Sequence, residues 1–355
     1  MKVLLLGDYS GLHKTLQDGL LKLNHNVTLA SSGDSWKKID RDVDISFKNF
    51  SFSGKINNRK KLFQFFSNIK GYDVIQFMNP FVMPPNFFPY KHIIKKLKKN
   101  NGKIFLVAAG SDPFFWRYAS ERLRYNPLQD HLKYDLEQSF HKYQNNFYFK
   151  SNLFFAENVN AVIPALYEYE VCYRDLTNVT NVIPPSININ NIKYSKNLVN
   201  KKIKIFHGLN RRGFKGTHII EKVFQRLESK YADMAEFIIA GKVSYSEYLN
   251  IIKNTNIVID QTSCYSLGIN GLISLAMGKV VLGGYEIESL LSLGIDKSPS
   301  VNILPDVDHI ENTLESIINN QDKFVDIGRE SRLFINEHFD YIKIAQKYVD
   351  VWNKY

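Results

Sequence analysis

The stretch Ile257–Leu282, IVIDQTSCYSLGINGLISLAMGKVVL, decides the fold. Ile257 to Asp260 is a short apolar run suited to a buried strand, a Ser/Gly turn follows, and Gly268 to Met277 reads as a helix of small residues. Gly278-Lys279 then leads into a second strand, Val280 to Leu282. Strand, helix and strand with short connections form a βαβ unit, whose strands lie parallel. Ser266 stands where it can cap the helix, Gly268 lets a ligand approach the backbone, and the N–H groups of Leu267 to Asn270 are open to phosphate oxygens.

The same alternation extends upstream, through strand Ile203 to Phe206, helix Thr217 to Leu227, strand Phe237 to Ala240 and helix Tyr245 to Lys253. Downstream come only helices, near Ile310 to Asn319, Asp322 to Glu337 and Tyr341 to Tyr355. The first half of the chain repeats the pattern: strand Val3 to Leu6, turn Gly7 to Gly11, helix Leu12 to Leu23, strand Val27 to Ala30, a helix near Lys60 to Ile69 and strand Asp73 to Phe77. A basic helix Tyr90 to Lys99 and strand Lys103 to Ala108 continue it, and strands Ala161 to Ile163 and Asn181 to Ile183 complete it. Pro184-Pro185 and the Asn-rich segment Ser186 to Asn191 carry helix breakers and no apolar period, which marks a linker. The predicted fold class is α/β, with two Rossmann-like doubly wound domains facing across a cleft: residues 1–185, residues 186–335, and a C-terminal helix 336–355 packing back towards the first domain.

Bulk properties narrow the function classes. A chain of 355 residues, 44% hydrophobic and 14% aromatic, can bury a core in each of two domains. Cys172 and Cys264 are the two cysteines and stand far apart, so neither a disulfide framework nor a zinc site is expected, and a reducing cytoplasm fits best. The apolar start Met1 to Leu6 is too short for a signal peptide, and no run reaches the roughly 18 apolar residues of a spanning helix, so a soluble or peripheral protein is expected. A net charge of +11 calls for an anionic partner: a nucleic acid, a phosphorylated metabolite or an acidic membrane surface. No zinc finger, basic zipper or RNP signature accompanies the charge, so nucleic acid is not expected.

Doubly wound sheets bind ligands beyond the carboxyl ends of their strands. The loop His207 to Thr217, HGLNRRGFKGT, lies at such an end, with Gly208, Asn210, Arg211, Arg212 and Lys215 just before a helix. Arg offers planar paired donors, Lys a mobile point charge and the helix start unpaired N–H groups, which together suit a diphosphate. Gly241 begins another strand-end loop. In the first half, the loop Gly7, Gly11, His13 and the turn Gly110-Ser111-Asp112 hold corresponding positions, and the Asp112 carboxylate is suited to orienting or deprotonating an acceptor hydroxyl. Asp42-Val-Asp44 and Asp306-Val-Asp308 have the spacing of a divalent-ion site but lie off the strand-end loops, so no metal is expected. Two basic segments, Arg59 to Phe66 and Tyr90 to Lys99, pair cations with aromatic or apolar residues, as an anionic membrane surface requires.

The series Arg212-x-x-Lys215-Gly216-Thr217, Asp260-Gln261, Tyr265-Ser-x-Gly268 and Ala276-Met-Gly-Lys-Val-Val281 resembles the C-terminal donor domain of GT-B glycosyltransferases, in particular the large retaining, family 4-like group of bacterial cell-surface polysaccharide enzymes. The resemblance covers about the last 150 residues closely and the first half only in outline. It implies an N-terminal acceptor-side domain and a donor domain binding a nucleotide sugar through Gly208, Asn210, Arg211, Gly241, Tyr265, Ser266, Leu267, Gly268 and Asn270. Arg212 and Lys215 would neutralise the leaving diphosphate in place of a metal, with no cofactor. The acceptor implied is an oligosaccharide or lipid-linked saccharide, handled in the cytoplasm or on the cytoplasmic face of the inner membrane. The sequence departs from the group at two positions, where Tyr265 and Ile273 stand in place of paired glutamates, one contacting the sugar and one the ribose; Glu286 or Glu288 is placed to substitute. A sugar-nucleotide epimerase and a non-catalytic nucleotide-sugar-binding subunit remain as alternatives.

Overall fold

Strand β1 (Lys2–Leu6) is KVLLL, and its four apolar residues are all buried. A strand without polar alternation must be covered on both faces, which a parallel sheet flanked by helices provides. The computed structural model, which describes residues 1–34, 39–47, 51–82, 90–110, 112–135, 140–241 and 243–355, shows two such sheets. The chain divides into one unit of Met1–Tyr118, Phe140–Ser186 and Tyr341–Tyr355, and a second of Ala119–Ser139 and Ile187–Asp340.

In chain order β1 is followed by α1 (Leu12–Lys22), β2 (Asn26–Ser31), β3 (Val43–Asp44), α2 (Phe52–Asn68), β4 (Val74–Phe77), α3 (Tyr90–Asn100), β5 (Lys103–Ala108) and α4 (Pro113–Arg122). Then come α5 (Leu128–Tyr134), α6 (Asn146–Glu157), β6 (Ala161–Pro164) and α7 (Tyr167–Tyr173). The remainder runs β7 (Ile203–Gly208), α8 (Thr217–Lys230), β8 (Ala235–Ala240), α9 (Tyr245–Lys253), β9 (Ile257–Ile259), α10 (Ile269–Ala276), β10 (Val280–Gly283), α11 (Ile287–Ser292) and β11 (Val301–Asn302). Helices α12 (Val307–Ile318), α13 (Phe324–His338) and α14 (Tyr341–Lys354) follow. The first sheet has the order β3-β2-β1-β4-β5-β6, all parallel, with Leu4 between Thr28 and Ile75. The second has the order β11-β10-β9-β7-β8, all parallel, with Phe206 between Ile238 and Val258.

Helix α14 belongs to the first unit and packs on α1, bringing Ile344, Ala345, Tyr348 and Trp352 into the core with Val3, Leu5 and Leu16. The two helices approach so closely that a Cβ on Gly19 would lie 2.3 Å from the Tyr341 carbonyl oxygen. A polar chain crosses this otherwise apolar interior. Trp352 Nε1 donates to Gln76 Oε1 (3.0 Å), Gln76 Nε2 lies 3.1 Å from His13 Nε2, and His13 Nδ1 lies 2.7 Å from the Gly7 carbonyl oxygen. A carbonyl only accepts, so Nδ1 carries the proton and Nε2 accepts from the Gln76 amide. Burial lowers the His13 pKa to about 3, which keeps the ring neutral as this chain requires.

In the second unit alternate strand residues feed two cores, one on each sheet face. Ile203, Ile205, Ile257 and Ile259 pack with α8 and α12, whereas Phe206 and Val258 pack with α10 and α13. Residues Ala119–Ser139, placed by sequence in the first half, belong to this unit.

Several sequence expectations are corrected. Asn181 to Ile183 is not a strand: Thr180 N–H and Ile183 N–H bond to β6 carbonyls, but pairing stays an isolated bridge at Val179, and Pro184-Pro185 has no N–H with which to continue. The helix expected near Lys60 starts a full two turns earlier because the Ser51 hydroxyl caps it, accepting from the Gly54 N–H at 3.1 Å. The helix expected over Asp322 to Glu337 is present as α13, Phe324–His338, entered through a 3-10 turn at Gln321–Lys323.

Candidate functional site

In the second sheet the chain leaves β7 for β8 on one side, and leaves β9 for β10 on the other. The carboxyl ends of the adjacent β7 and β9 therefore form the switch point where doubly wound sheets leave a crevice. Both sequence motifs start here. The β7 loop curls into α8 through Gly216, whose φ of +68° and a Cβ that would fall 2.0 Å from Thr262 Oγ1 both demand glycine. His207, at the end of β7, fixes this turn: Nδ1 donates to the Ile259 carbonyl oxygen (3.0 Å) and Nε2 accepts from the Thr217 hydroxyl (2.9 Å). Burial lowers the His207 pKa to about 4, so it holds the two strand ends as a neutral ring.

Lys215 reaches from the β7 loop to Asp260 at the end of β9, and both side chains are buried. The second Asp260 oxygen accepts from the Gly268 N–H at 2.9 Å, at the N-terminus of α10. Asp260, and not Ser266, thus caps this helix; the Ser266 hydroxyl lies 2.8 Å from that of Ser289. Lys215 and the Gly268 amide, expected separately at a diphosphate, converge on a single carboxylate.

Arg212 and two amides of the β7 loop also meet carboxylates. Arg212 forms a two-pronged pair with Glu221 on α8, while the Arg211 guanidinium lies 3.8 Å from the centre of the Phe214 ring. The Gly213 and Phe214 N–H groups donate to Asp135, at 3.2 and 2.9 Å. Helix α5 and the residue after it rest directly on the loop: Tyr134 stacks on His218 at 4.5 Å, and a Cβ on Gly213 would fall 2.0 Å from the Asp130 carbonyl oxygen. Of the remaining loop residues, Asn210 is exposed, Gly208 is partly buried, and Gly241 is a glycine because a Cβ would lie 1.7 Å from the Leu209 carbonyl oxygen.

Tyr265 and Leu267 point into the protein, each 2% exposed, and Asn270 is partly buried on the first turn of α10. The Tyr265 hydroxyl accepts from the Arg124 N–H at 2.7 Å, and its ring lies 5.0 Å from that of Tyr125. Glu286, expected to face a ribose, accepts from the Tyr125 hydroxyl, Arg124 Nη2 (2.8 Å) and Asn302 Nδ2 (2.9 Å). Arg124 also pairs with Glu288, which raises its pKa above the ordinary value. Asp135, Glu221, Arg124, Tyr125 and Asn302 were not singled out by sequence; no local motif marks them, since most act across 70 or more positions.

In the first unit Gly7 and Gly11 have φ near +80°, as the tight turn into α1 needs, but His13 is fully buried in the polar chain described above. Asp112 is likewise 0% exposed: Oδ1 accepts from the Phe115 N–H (2.9 Å), capping α4, and Oδ2 accepts from the Tyr173 hydroxyl (3.0 Å). Its neighbour Ser111 lies outside the described residues. Burial raises the Asp112 pKa from 3.8 to about 7. A raised pKa favours folding most when the group is protonated, so this contribution is full below pH 4 and is lost as pH rises through 7. Asp112→Asn keeps the cap without ionising. The stability of the variant minus that of the parent, from urea melts, is expected to grow by on the order of 4 kcal/mol between pH 4 and pH 8; a pH-independent difference would contradict it. Asp8 shifts the same way and His13 the opposite way, so the difference, not the parent curve, is the readout.

The two Asp-x-Asp pairs have local partners. Asp42 accepts from Gln17 Nε2 and the Leu29 N–H, Asp44 pairs with Arg41, Asp306 caps α12 and Asp308 pairs with Arg226.

No protein-family profile and no curated protein matches the sequence. Solved structures do. A sucrose-phosphate synthase from Thermosynechococcus elongatus superposes with a TM-score of 0.66 at 13% identity, over 100% of this chain and 99% of that one. Anabaena HepE, in complex with UDP and glucose, gives 0.63 at 13% identity over 100% of both chains. A glycosyltransferase from Rickettsia africae gives 0.56 at 14% identity over 99% of this chain and 97% of that one. The likeness is one of fold, and the fold class is the GT-B type of two Rossmann-like α/β units.

Proposed function

We propose that the chain is a glycosyltransferase that passes a sugar from a nucleotide-sugar donor to a hydroxyl of a saccharide, lipid-linked acceptor in cell-surface polysaccharide synthesis, with retention at the anomeric carbon. The observation that carries this reading is the convergence of the Lys215 ammonium and the Gly268 amide, from two neighbouring strand ends, on one pair of carboxylate oxygens. Donors so placed at a switch point and a helix N-terminus are arranged for anionic oxygens. A diphosphate makes the same demand with greater charge, drawing Lys215 from Asp260 and Arg212 from Glu221. The likeness in fold to HepE, whose structure holds UDP and glucose, supports a nucleotide sugar as the donor.

As the bond from the anomeric carbon to the diphosphate breaks, negative charge grows on the phosphate oxygens. Arg212, Lys215 and the N-terminus of α10 then interact more strongly than in the ground state, which is the condition for catalysis and fills the part a divalent ion plays elsewhere. Glu286 plays no ribose-binding part in this scheme, since three donors already hold it.

Ligand binding is tested by thermal shift against a panel of nucleoside diphosphates. At about 100 times the dissociation constant a ligand stabilises by about 2.7 kcal/mol, so a rise of roughly 5 °C or more is expected with at least one base. A shift within noise for every diphosphate would remove the assignment. A second reading, a non-catalytic nucleotide-sugar-binding subunit, is favoured by Tyr265 and Ile273 at the glutamate positions; it predicts calorimetric binding with no transfer to any acceptor.

A further inference from the structure

The charge of the protein is not spread over its surface. Between Phe52 and Asn100 stand ten Lys or Arg residues and a single acid, Asp73, so this one stretch carries +9 of the net +11. Asp73 accepts from the backbone N–H of Lys2, and among the described residues no ion pair joins it to any of the ten. The stretch contains α2 and α3, which pack against each other in the first unit. Helix α3 divides cleanly, with Ile93, Ile94 and Leu97 buried and Lys91, Lys95, Lys96, Lys98 and Lys99 exposed. On α2, Leu62 and Phe66 are buried, while Lys55, Arg59, Lys60 and Lys61 are exposed. Among the described residues no carboxylate pairs with Lys60, Lys61, Lys95, Lys96, Lys98 or Lys99, so their mutual repulsion is left for an outside anion to offset.

The cations are accompanied by bare hydrocarbon. Ile56 is 42% and Phe63 46% exposed. They stand seven positions apart, two helical turns, with Arg59 and Lys60 between them on the same stripe of α2. Apolar side chains interleaved with cations on one helix face match the boundary of a lipid leaflet, where hydrocarbon inserts below the headgroups and ammonium groups stay at phosphate depth. A nucleic-acid groove uses the cations but gains nothing from exposed isoleucine. We propose that α2 and α3 form a docking surface for a membrane rich in anionic lipid, held jointly by the lysine and arginine cluster and by insertion of Ile56 and Phe63.

The test is flotation of the full chain with vesicles of phosphatidylcholine alone or mixed with phosphatidylglycerol. Binding is expected to the mixed vesicles only, and to weaken as salt rises. The quadruple variant K60E/K61E/K95E/K96E is expected to lose at least about tenfold in vesicle affinity. The variant I56S/F63S, which leaves the charge unchanged, is expected to lose about tenfold as well. Both should keep the parent thermal melt and the parent response to nucleoside diphosphates, which separates this surface from the donor site. Equal binding to neutral vesicles, or no vesicle binding by the folded parent, would overturn the proposal. So would retention of I56S/F63S on vesicles together with tight binding of the parent to single-stranded RNA, which would make the patch a general polyanion site.

Discussion

Arg212→Ala is expected to lower the turnover number of sugar transfer by about two to three orders of magnitude, as removal of one preorganised charge donor at a transition-state anion does. The fold should survive. The Arg212 side chain is 42% exposed and its Glu221 partner 31%, and such surface pairs contribute at most about 1 kcal/mol. Lys215→Ala is the less informative variant, because it strands Asp260, whose side chain is 1% exposed, as an unpaired buried charge and costs about 3–5 kcal/mol. A loss of activity there would mix chemistry with unfolding. In Arg212→Ala the melting temperature should stay within a few degrees of the parent while transfer, followed by release of nucleoside diphosphate, collapses. Turnover near that of the parent would remove Arg212 from the diphosphate site.

Trp352→Ala is expected to destabilise the first unit by about 4–8 kcal/mol. Truncating a fully buried indole leaves a cavity worth about 3–5 kcal/mol, and Gln76 Oε1, 0% exposed, loses its donor at a further cost of about 1–3 kcal/mol. Trp352→Phe separates the terms by keeping most of the packing, and should cost about 1–3 kcal/mol. Trp116, among the described residues, belongs to the same unit, Met1–Tyr118, so its fluorescence during denaturant unfolding reports this unit. If Trp352→Phe matched Trp352→Ala, the hydrogen-bonded chain through Gln76 and His13 would carry the stability and the packing little.

The βαβ series was legible in the sequence wherever strands were continuous apolar runs and helices had one apolar face. β7, β9, α10 and β10 lie within a residue or two of their predicted bounds, and α8 starts where expected but runs three residues further, to Lys230. Helices α4 to α7 were not legible: α6, NFYFKSNLFFAE, spreads its aromatics around the helix, which erases the period that marks an amphipathic segment. The two-residue strands β3 and β11 are too short to leave any pattern. At the candidate site, residue type singled out Arg212 and Lys215, because clustered cations beside glycines stand out locally. Their counter-charges did not stand out. An aspartate at position 135 or a glutamate at 221 looks like any other surface acid until the fold carries it to the loop. The same holds for His13 and Asp112, whose strand-end positions were read correctly but whose side chains turn inward to meet Gln76 and Tyr173.

The interleaving of the two units along the chain governs how the protein is made. Ala119–Ser139 leaves the ribosome long before Ile187–Asp340, the remainder of its unit, and Tyr341–Tyr355 emerges only after all of Ile187–Asp340. Neither unit can close as it is synthesised: α5 waits for the β7 loop it covers, and β1, β4 and α1 wait for α14 with their core side chains uncovered. Domain-by-domain folding during translation, the usual protection of a chain this long, is therefore denied to this one. The interval between synthesis of Leu6 and arrival of Trp352 is when a chaperone would be needed most.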